Sequence, residues 1–501
     1  VQPNAAEPPA VPPAKPSTLQ SEPTSPPTTE PTSPQPAAKP TAAPFPEFLN
    51  PNPNPLQFPT KPEEVRIKGT QPISLQQAIE LARRNNRTLQ IAELQLQRSR
   101  AGLREARAQE FPVVDFQAGV TNSQSASGEI QQRRQDDDSL SSLFGRSNQD
   151  QNSSNLTGTV QASYDVYTSG ARSSRIRAAE RLVRSDELQV EVTLEQLVLD
   201  VTSDYYDLQE ADESVRINTA AVRNAETSLK DAQALERAGL GTRFDVLQAQ
   251  VQLANAQQDL TNSTAQQRVR QRQLAQRLSL AQTVNVIAAD PVKEAGRWNL
   301  PIEETIVLAF KNRAELEQQL VQREIAKQQR RLALSALGPR VSLVAQYDLL
   351  DVFDDGVSIA DGYSVAANVN WRLFEGGAAR AQARQSEADM AIAETRFADQ
   401  RNIVRFEVEQ AYTSLESNLQ NIATATTAVE QAREALRLAR LRFQAGVGTQ
   451  SQVIDAETAL TRAEGNRIQA ILGYNRALAA LQRAVTNLPF NVISTLTTTN
   501  P

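Results

Sequence analysis

Neither cysteine nor histidine occurs among the 501 residues, and methionine occurs once. The first absence removes disulfide frameworks, thiolate chemistry and lipid attachment through cysteine. The second removes the commonest zinc ligand and acid–base side chain. Neither Gly-x-x-x-x-Gly-Lys-[Ser/Thr] nor Gly-x-Gly-x-x-Gly is present to cradle a phosphate, so no enzyme activity and no cofactor are expected, and ATP has no visible point of use. The acidic triplet Asp136-Asp137-Asp138 has no EF-hand spacing around it and reads as a solvated loop tip, leaving no metal site. An excess of one charge is lacking as well. The formal net charge is -6, with Lys and Arg scattered, so no nucleic-acid partner is expected. No run approaches the roughly 18 apolar residues that a membrane-spanning helix requires, so a chain like this one crosses a bilayer only with strands. The first residue is Val1, which is compatible with a removed signal peptide and equally with an arbitrary boundary.

Proline is concentrated rather than absent: 20 of the 27 fall within residues 1–62, interleaved with Ala, Ser, Thr and Glu. Such a segment has too little apolar surface to offset its ordering entropy, and an extended tail is expected there. From Ile73 onward the chain is a tandem duplication. Ser74–Ala82 recurs as Pro301–Ala309 at an offset of 227, and Ala238-Gly239-Leu240-Gly241-Thr242 recurs as Ala445-Gly446-Val447-Gly448-Thr449 at an offset of 207. The difference falls in 122–155, a stretch of Asn, Ser, Gln and Asp that reads as a loop enlarged in the first copy only. The expected organisation is a tail over 1–62, a first repeat over 63–288, a linker over 289–300, a second repeat over 301–488 and a short tail over 489–501.

Each repeat holds two segments with period two. Tyr363, Val365, Ala367, Val369, Trp371 and Leu373 alternate with Ser364, Ala366, Asn368, Asn370 and Arg372, which is a strand with one apolar and one polar side. Similar alternation over 341–349, 114–120 and 156–166 predicts one long hairpin per repeat, over 111–168 and 339–375. Pro112 and Pro339 stop the preceding helices, and Gly170 and Gly376-Gly377 precede the next. The stretches 170–237 and 376–444 contain no proline and predict helices of roughly 100 Å if unbroken. Their apolar residues recur at three-four spacing with many alanines, as in Val222, Ala225, Leu229, Ala232 and in Val429, Ala432, Leu436, Ala439, Phe443. These are seams of closely approaching antiparallel coiled-coil helices.

The strands are long enough to cross hydrocarbon when tilted. A soluble sheet with one dry face has the same pattern but needs a cover, and the long helices are committed to each other. Four strands cannot close a barrel, and an open edge is not tolerated in lipid. Several copies must therefore share one barrel, two being the minimum and three giving twelve strands. The Gly-rich turns read as helical hairpin tips, with glycine supplying a left-handed C-cap and Thr242 or Thr449 an N-cap. Just beyond them lie Arg243 and Asp245 in one copy, Gln450 and Asp455 in the other. These are either helix-dipole partners or, in a ring of hairpins, gate residues near its axis.

The order helix, hairpin, helix, helix occurring twice, the closures Tyr164-Asp165-Val166-Tyr167-x-x-Gly170 and Trp371-Arg372-Leu373-Phe374-x-Gly376-Gly377, and the two Ala-Gly-x-Gly-Thr turns together resemble the TolC-type outer-membrane efflux proteins across about residues 70 to 488. The resemblance implies a mainly α chain with a membrane β-barrel: a homotrimer with a twelve-stranded barrel in the outer membrane, continued by an α-barrel tunnel through the periplasm. It implies passive export of drugs, metabolites or proteins in tripartite efflux or type I secretion. Partners would be a periplasmic adaptor protein and an inner-membrane pump, either an ABC exporter or a proton-driven transporter of the RND or MFS kind. By the same resemblance Gly239, Gly241, Thr242, Gly446, Gly448 and Thr449 form the adaptor-docking tip, Arg243, Asp245, Gln450 and Asp455 the periplasmic entrance, and Tyr164, Trp371 and Phe374 aromatics at the barrel interface. A soluble periplasmic coiled-coil scaffold or adaptor is the alternative.

Overall fold

The computed structural model describes residues 49–50, 54, 56, 58–67, 69–124, 152–281, 283–353 and 358–485. Most of the tail read over 1–62, residues 125–151 of the loop read over 122–155 and the C-terminal residues from 486 onward lie outside them, whereas 122–124 and 152–155, read as loop, belong to paired strands. A single helical turn, α1 (Pro62–Val65), leads into β1 (Gly69–Ile73), followed by α2 (Leu75–Asn85) and α3 (Arg87–Ala108). The first hairpin is β2 (Val113–Gln124) and β3 (Asn152–Tyr167), and the first long hairpin of helices is α4 (Ala171–Arg237) and α5 (Arg243–Arg277). After β4 (Val284–Ala288) the order returns as α6 (Ile302–Asn312), α7 (Ala314–Ser335), β5 (Arg340–Phe353), β6 (Ala360–Asn370), α8 (Ala378–Gln444) and α9 (Gln450–Val485).

The duplication is carried into helix length. Both α4 and α8 run for 67 residues without a break, about 100 Å at 1.5 Å per residue. Each begins after a glycine with a φ of +86°, Gly170 or Gly377, a conformation that costs L-residues steric strain. Beside the sheet, α3, α4, α7 and α8 lie side by side in that order, and toward the other end α5, α4, α9 and α8 do the same. The expected seams pack as read: Ala232, Val246, Ala249, Leu436, Phe443 and Val453 form one buried cluster near the turns. A second and larger one, with Val404, Val408, Tyr474, Leu478 and Leu481, lies midway along. The core is thus strung along the helices in pieces.

Midway, two helices meet end to end in each repeat. Asn86 has a ψ of 126° between α2 and α3; its Oδ1 caps the amides of Thr88 and Leu89, and its Nδ2 donates to the last carbonyl of α5, at Arg277, over 3.1 Å. Its counterpart Arg313, between α6 and α7, donates from Nη1 to the carbonyl of Ala484 in α9 over 3.4 Å. Both partners correspond at the sequence offsets, 227 for the cap and 207 for the carbonyl. The acid beside this joint keeps its place as Asp200 or Glu407 while the base changes sides: Arg277 reaches Asp200 at 3.2 Å, whereas Arg313 reaches Glu407 at 2.7 Å.

The region read as a plain linker is fastened down. β1 and β4 pair in parallel, and Asp290 accepts from the Leu75 amide (2.7 Å) and from the Tyr205 hydroxyl (2.8 Å). Asn475 then holds the Ala295 amide and the Lys293 carbonyl, both at 2.8 Å. The strap therefore joins α4 of the first repeat to α9 of the second.

Candidate functional site: an open sheet and a helical tip

Two places carry the chemistry expected from sequence, the four-stranded sheet at one end of the long helices and their turns at the other. The sheet has the order β2-β3-β5-β6, antiparallel throughout. Its register places like with like. Phe116, Val160, Tyr347 and Tyr363 form one row across all four strands, and Val114, Ala162, Ala345 and Val365 form the next. On the opposite side Asp115, Gln161, Gln346 and Ser364 form a polar row. That side is internally hydrogen-bonded: Thr159 and Gln346 both donate to Asp348 at 2.8 Å. Among the described residues nothing covers the apolar side. Phe116, Val365 and Val369 are mostly exposed and Tyr363 almost wholly so, an apolar patch of a kind that water-soluble monomers rarely show. Among the described residues β2 and β6 each keep one unpaired edge.

The three aromatics singled out from sequence gather where the sheet joins the helices. The Arg172 guanidinium lies 5.1 Å from the Tyr164 ring centroid, within reach of a cation–π contact. Trp371 Nε1 donates to the Leu337 carbonyl at 2.9 Å, and Phe374 is exposed.

The two tip turns are built alike. Gly239 and Gly446 adopt φ values of +70° and +74°. The amides of Leu240 and Gly241 both donate to the Leu235 carbonyl, and those of Val447 and Gly448 to the Arg442 carbonyl, all at 3.0 Å. A side chain at Gly241 or Gly448 would start 3.0 Å from the preceding helix, which accounts for the second glycine of each turn. Thr242 caps α5 by accepting from the Asp245 amide, while Asp245 Oδ2 accepts from the Thr242 amide at 3.0 Å. This is a capping box. In the second turn Thr449 and Gln452 exchange the same pair of bonds.

Of the four residues grouped as an entrance, the structure therefore gives each a different setting. Asp245 spends its carboxylate on its own cap. Arg243 is exposed, with Glu236 at 3.8 Å. Asp455 is exposed on α9. Gln450, in contrast, is fully buried and donates from Nε2 to Ser228 Oγ of α4 at 2.8 Å. Two further hydrogen bonds tie the helical hairpins together: Gln248 Nε2 to Ser451 Oγ and Gln444 Nε2 to Asp231 Oδ2, each at 2.9 Å. Nothing in the sequence singled these out. Buried Glu457, paired with Arg440 at 2.9 Å, was legible only as an acid on the apolar face of α9. Burial pushes its carboxyl above the usual range, with Arg440 opposing and Asp231 adding to the rise. Midway along, burial raises Glu195 to about 7 against the opposing pull of Arg483. There Arg483 bridges Glu195 at 3.2 Å and Glu315 at 2.5 Å. Among the described residues no cluster of acids suits a metal ion, and no helix is long and apolar enough to cross a membrane.

Comparison with known proteins bears on the fold and the family. The pyoverdine export outer membrane protein OpmQ of Pseudomonas putida is 24% identical over 420 residues, 82% of this chain and 85% of that protein. The solved outer-membrane channel OprN superposes with a TM-score of 0.69 at 21% identity, over 82% of this chain and 89% of that one. The outer membrane protein VceC of Vibrio cholerae gives 0.68 at 20% identity, over 82% and 95%. These likenesses show a TolC-like channel fold. The sequence profile of the outer membrane efflux proteins matches residues 78–279 and 305–487, and with both repeats so covered, the chain belongs to the outer membrane efflux protein family, the outer-membrane channels of efflux systems.

Proposed function

We propose that three copies of this chain form a passive exit duct, each giving four strands to a twelve-stranded barrel in the outer membrane and its long helices to a periplasmic tunnel. The uncovered apolar face with two free sheet edges carries the reading. Water does not favour that face, and hydrocarbon favours it but does not tolerate the edges. Because β2 and β6 run in opposite directions, β6 of one copy can continue antiparallel into β2 of the next, and a head-to-tail ring closes. The number three comes from the family resemblance. A soluble scaffold or adaptor would need its sheet covered, and no such cover exists among the described residues.

The tip turns serve as the docking surface for a periplasmic adaptor, which links the duct to an inner-membrane ABC or proton-driven pump. Cargo includes small metabolites of the kind for which OpmQ is named, drugs or secreted proteins, and a lumen lined by amides, hydroxyls and mixed charge leaves selection to the pump. Tyr164, Trp371 and Phe374 sit at the level where aromatic side chains favour the boundary between hydrocarbon and water. Resting closure rests on the ties between the two helical hairpins, with Arg243 and Asp455 at the entrance. Planar-bilayer recording tests this. Removing the ties by Asp231→Ala, Gln248→Ala and Gln450→Ala together should raise the single-channel current, and an unchanged small current overturns the gate. Independently, the detergent-solubilised particle should have the mass of three chains and a length well over 100 Å, as the helices require.

A further inference from the structure

The duplication provides an internal comparison for the helix wall midway along. In the first repeat α5 packs on α4 and turns Gln266, Arg270, Gln273 and Arg277 out along one of its faces. Three of these long side chains hold α4: Arg270 reaches Asp207 at 3.1 Å, Gln273 donates to Asp204 at 2.7 Å, and Arg277 donates to the same carboxylate at 2.8 Å. At the offset of 207 the four positions become Gly473, Ala477, Ala480 and Ala484 of α9, and Asp204 and Asp207 become Ala411 and Ser414 of α8. Bases and acids are absent together. In their place is a cavity of about 870 Å³ with α9 as its floor and α4 and α8 as its walls, a slot of about 16 Å from Gly473 to Ala484.

The fold does not require this space, since the sister repeat fills it. Gly473 stands in the interior of a helix, where glycine costs about 1 kcal/mol relative to alanine, and a methyl group there would fall 2.7 Å from Asn418 Oδ1. The large side chains of α9 lie on another face: Tyr474, Leu478 and Leu481 pack with Ile306 and Leu308 of α6, and Tyr474 donates to the Gly296 carbonyl of the strap at 2.6 Å. The lining also limits the charge of what fits. Each lining base is already matched, Arg313 by Glu315 and Glu407, Arg483 by Glu195 and Glu315, and Arg476 by Asp207 and Glu210. Between them the slot presents apolar Leu199 and Ile403, the small floor, and Gln400 and Gln410, whose amides have no partner among the described residues. A charged molecule finds no unpaired counter-charge there, whereas an uncharged one finds donors and apolar surface.

We infer that the slot binds an uncharged organic molecule of drug size that carries amide or carbonyl groups. Its volume lies within the range of roughly 300–1,000 Å³ over which pockets take such ligands, and apolar walls with a few placed polar groups are their usual composition. Ligand carbonyls accept from Gln400 and Gln410, and the apolar parts of the ligand cover the alanine floor. In the ring proposed above, the strap and α6 have room only on the outer side, so the slot opens on the lumen and cargo is held there in passage. That placement rests on the ring reading, whereas the slot itself is built within one chain.

The probe is an end-blocked hexapeptide of alanine and serine, radiolabelled and brought to equilibrium by dialysis against the detergent-solubilised particle. Saturable binding of one peptide per chain is expected. Ala480→Gln, which restores the residue found at the same place in the first repeat, should lower the affinity by about tenfold or more, and Gln410→Ala on the exposed wall by about threefold to tenfold, the loss of one hydrogen bond. A peptide of the same length with aspartate or lysine in place of serine should bind more weakly. Absence of saturable binding, equal affinity in both variants and wild type, or tighter binding of a charged peptide overturns the assignment. Saturable binding to a particle with the mass of one chain leaves the slot standing and overturns its place in a ring.

Discussion

At the residue scale, Glu195 is the group whose setting has the clearest consequence for solution behaviour. Its carboxyl is raised to about 7 by burial despite Arg483. An acid held above its unfolded value binds its proton longer in the folded state, so its contribution is fully present below about pH 4.5 and is lost as pH rises through about 7. Glu195→Gln should flatten the pH dependence of thermal stability across that window, and a slope unchanged from wild type would assign it elsewhere. The tip glycines lend themselves to a second measurement. Gly446→Ala forces a Cβ into a left-handed conformation at a cost of about 1 kcal/mol, and Thr242→Ala removes the N-cap of α5 at a similar cost of about 1 kcal/mol. Faster amide exchange confined to the α8–α9 turn in the first variant and to the α4–α5 turn in the second is expected. These turns were legible in the sequence because their chemistry is local: a glycine where φ is positive, a threonine at the cap, a carboxylate or amide three residues on. Gln450 was not. Its place is set by Ser228, 222 residues earlier, and grouping it with exposed Asp455 followed sequence neighbourhood where packing decides.

Among elements, the hairpins were the most readable, because period two both names the strand and says which side is wet. The register bears out the alternating faces as far as Tyr164 and Val369. A bulge between Asp165 and Tyr167, however, sets Tyr167 rather than Val166 opposite Val341, Trp371 and Leu373 lie beyond β6, and pairing runs into the loop read over 122–155 as far as Gln124 with Asn152. Val365→Arg on the apolar side should cost about 2–4 kcal/mol in lipid if it lies near the midplane. Folding yield into vesicles should fall accordingly, whereas Ser364→Arg on the polar side should leave it nearly unchanged. The long helices were equally plain from the absence of proline. The β1–β4 pair escaped notice for a physical reason: five-residue strands, one containing Pro72, leave no periodicity to detect, and their pairing spans more than two hundred residues. The joints at Asn86 and Arg313 were not read from the sequence: Asn86 caps its own helix, but Arg313 makes no side-chain cap to its own helix and acts instead on the end of α9.

For the whole molecule, what decides behaviour is that the sheet is incomplete in a particular way. One copy has two unpaired edges, and joining a second head to tail leaves two again. Only the last copy removes them both. The penalty of bare backbone in hydrocarbon, several kcal/mol for each unpaired group, is therefore the same for a fragment of any size and disappears at a single step. Intermediates of one or two chains should be scarce in the bilayer. Titrating the chain into vesicles should give a steep, near all-or-none appearance of the complete particle with no accumulating pair, and a stable membrane-embedded pair would contradict it. A cell that makes too little of this protein would then lose pores in number, while each pore that remains stays whole.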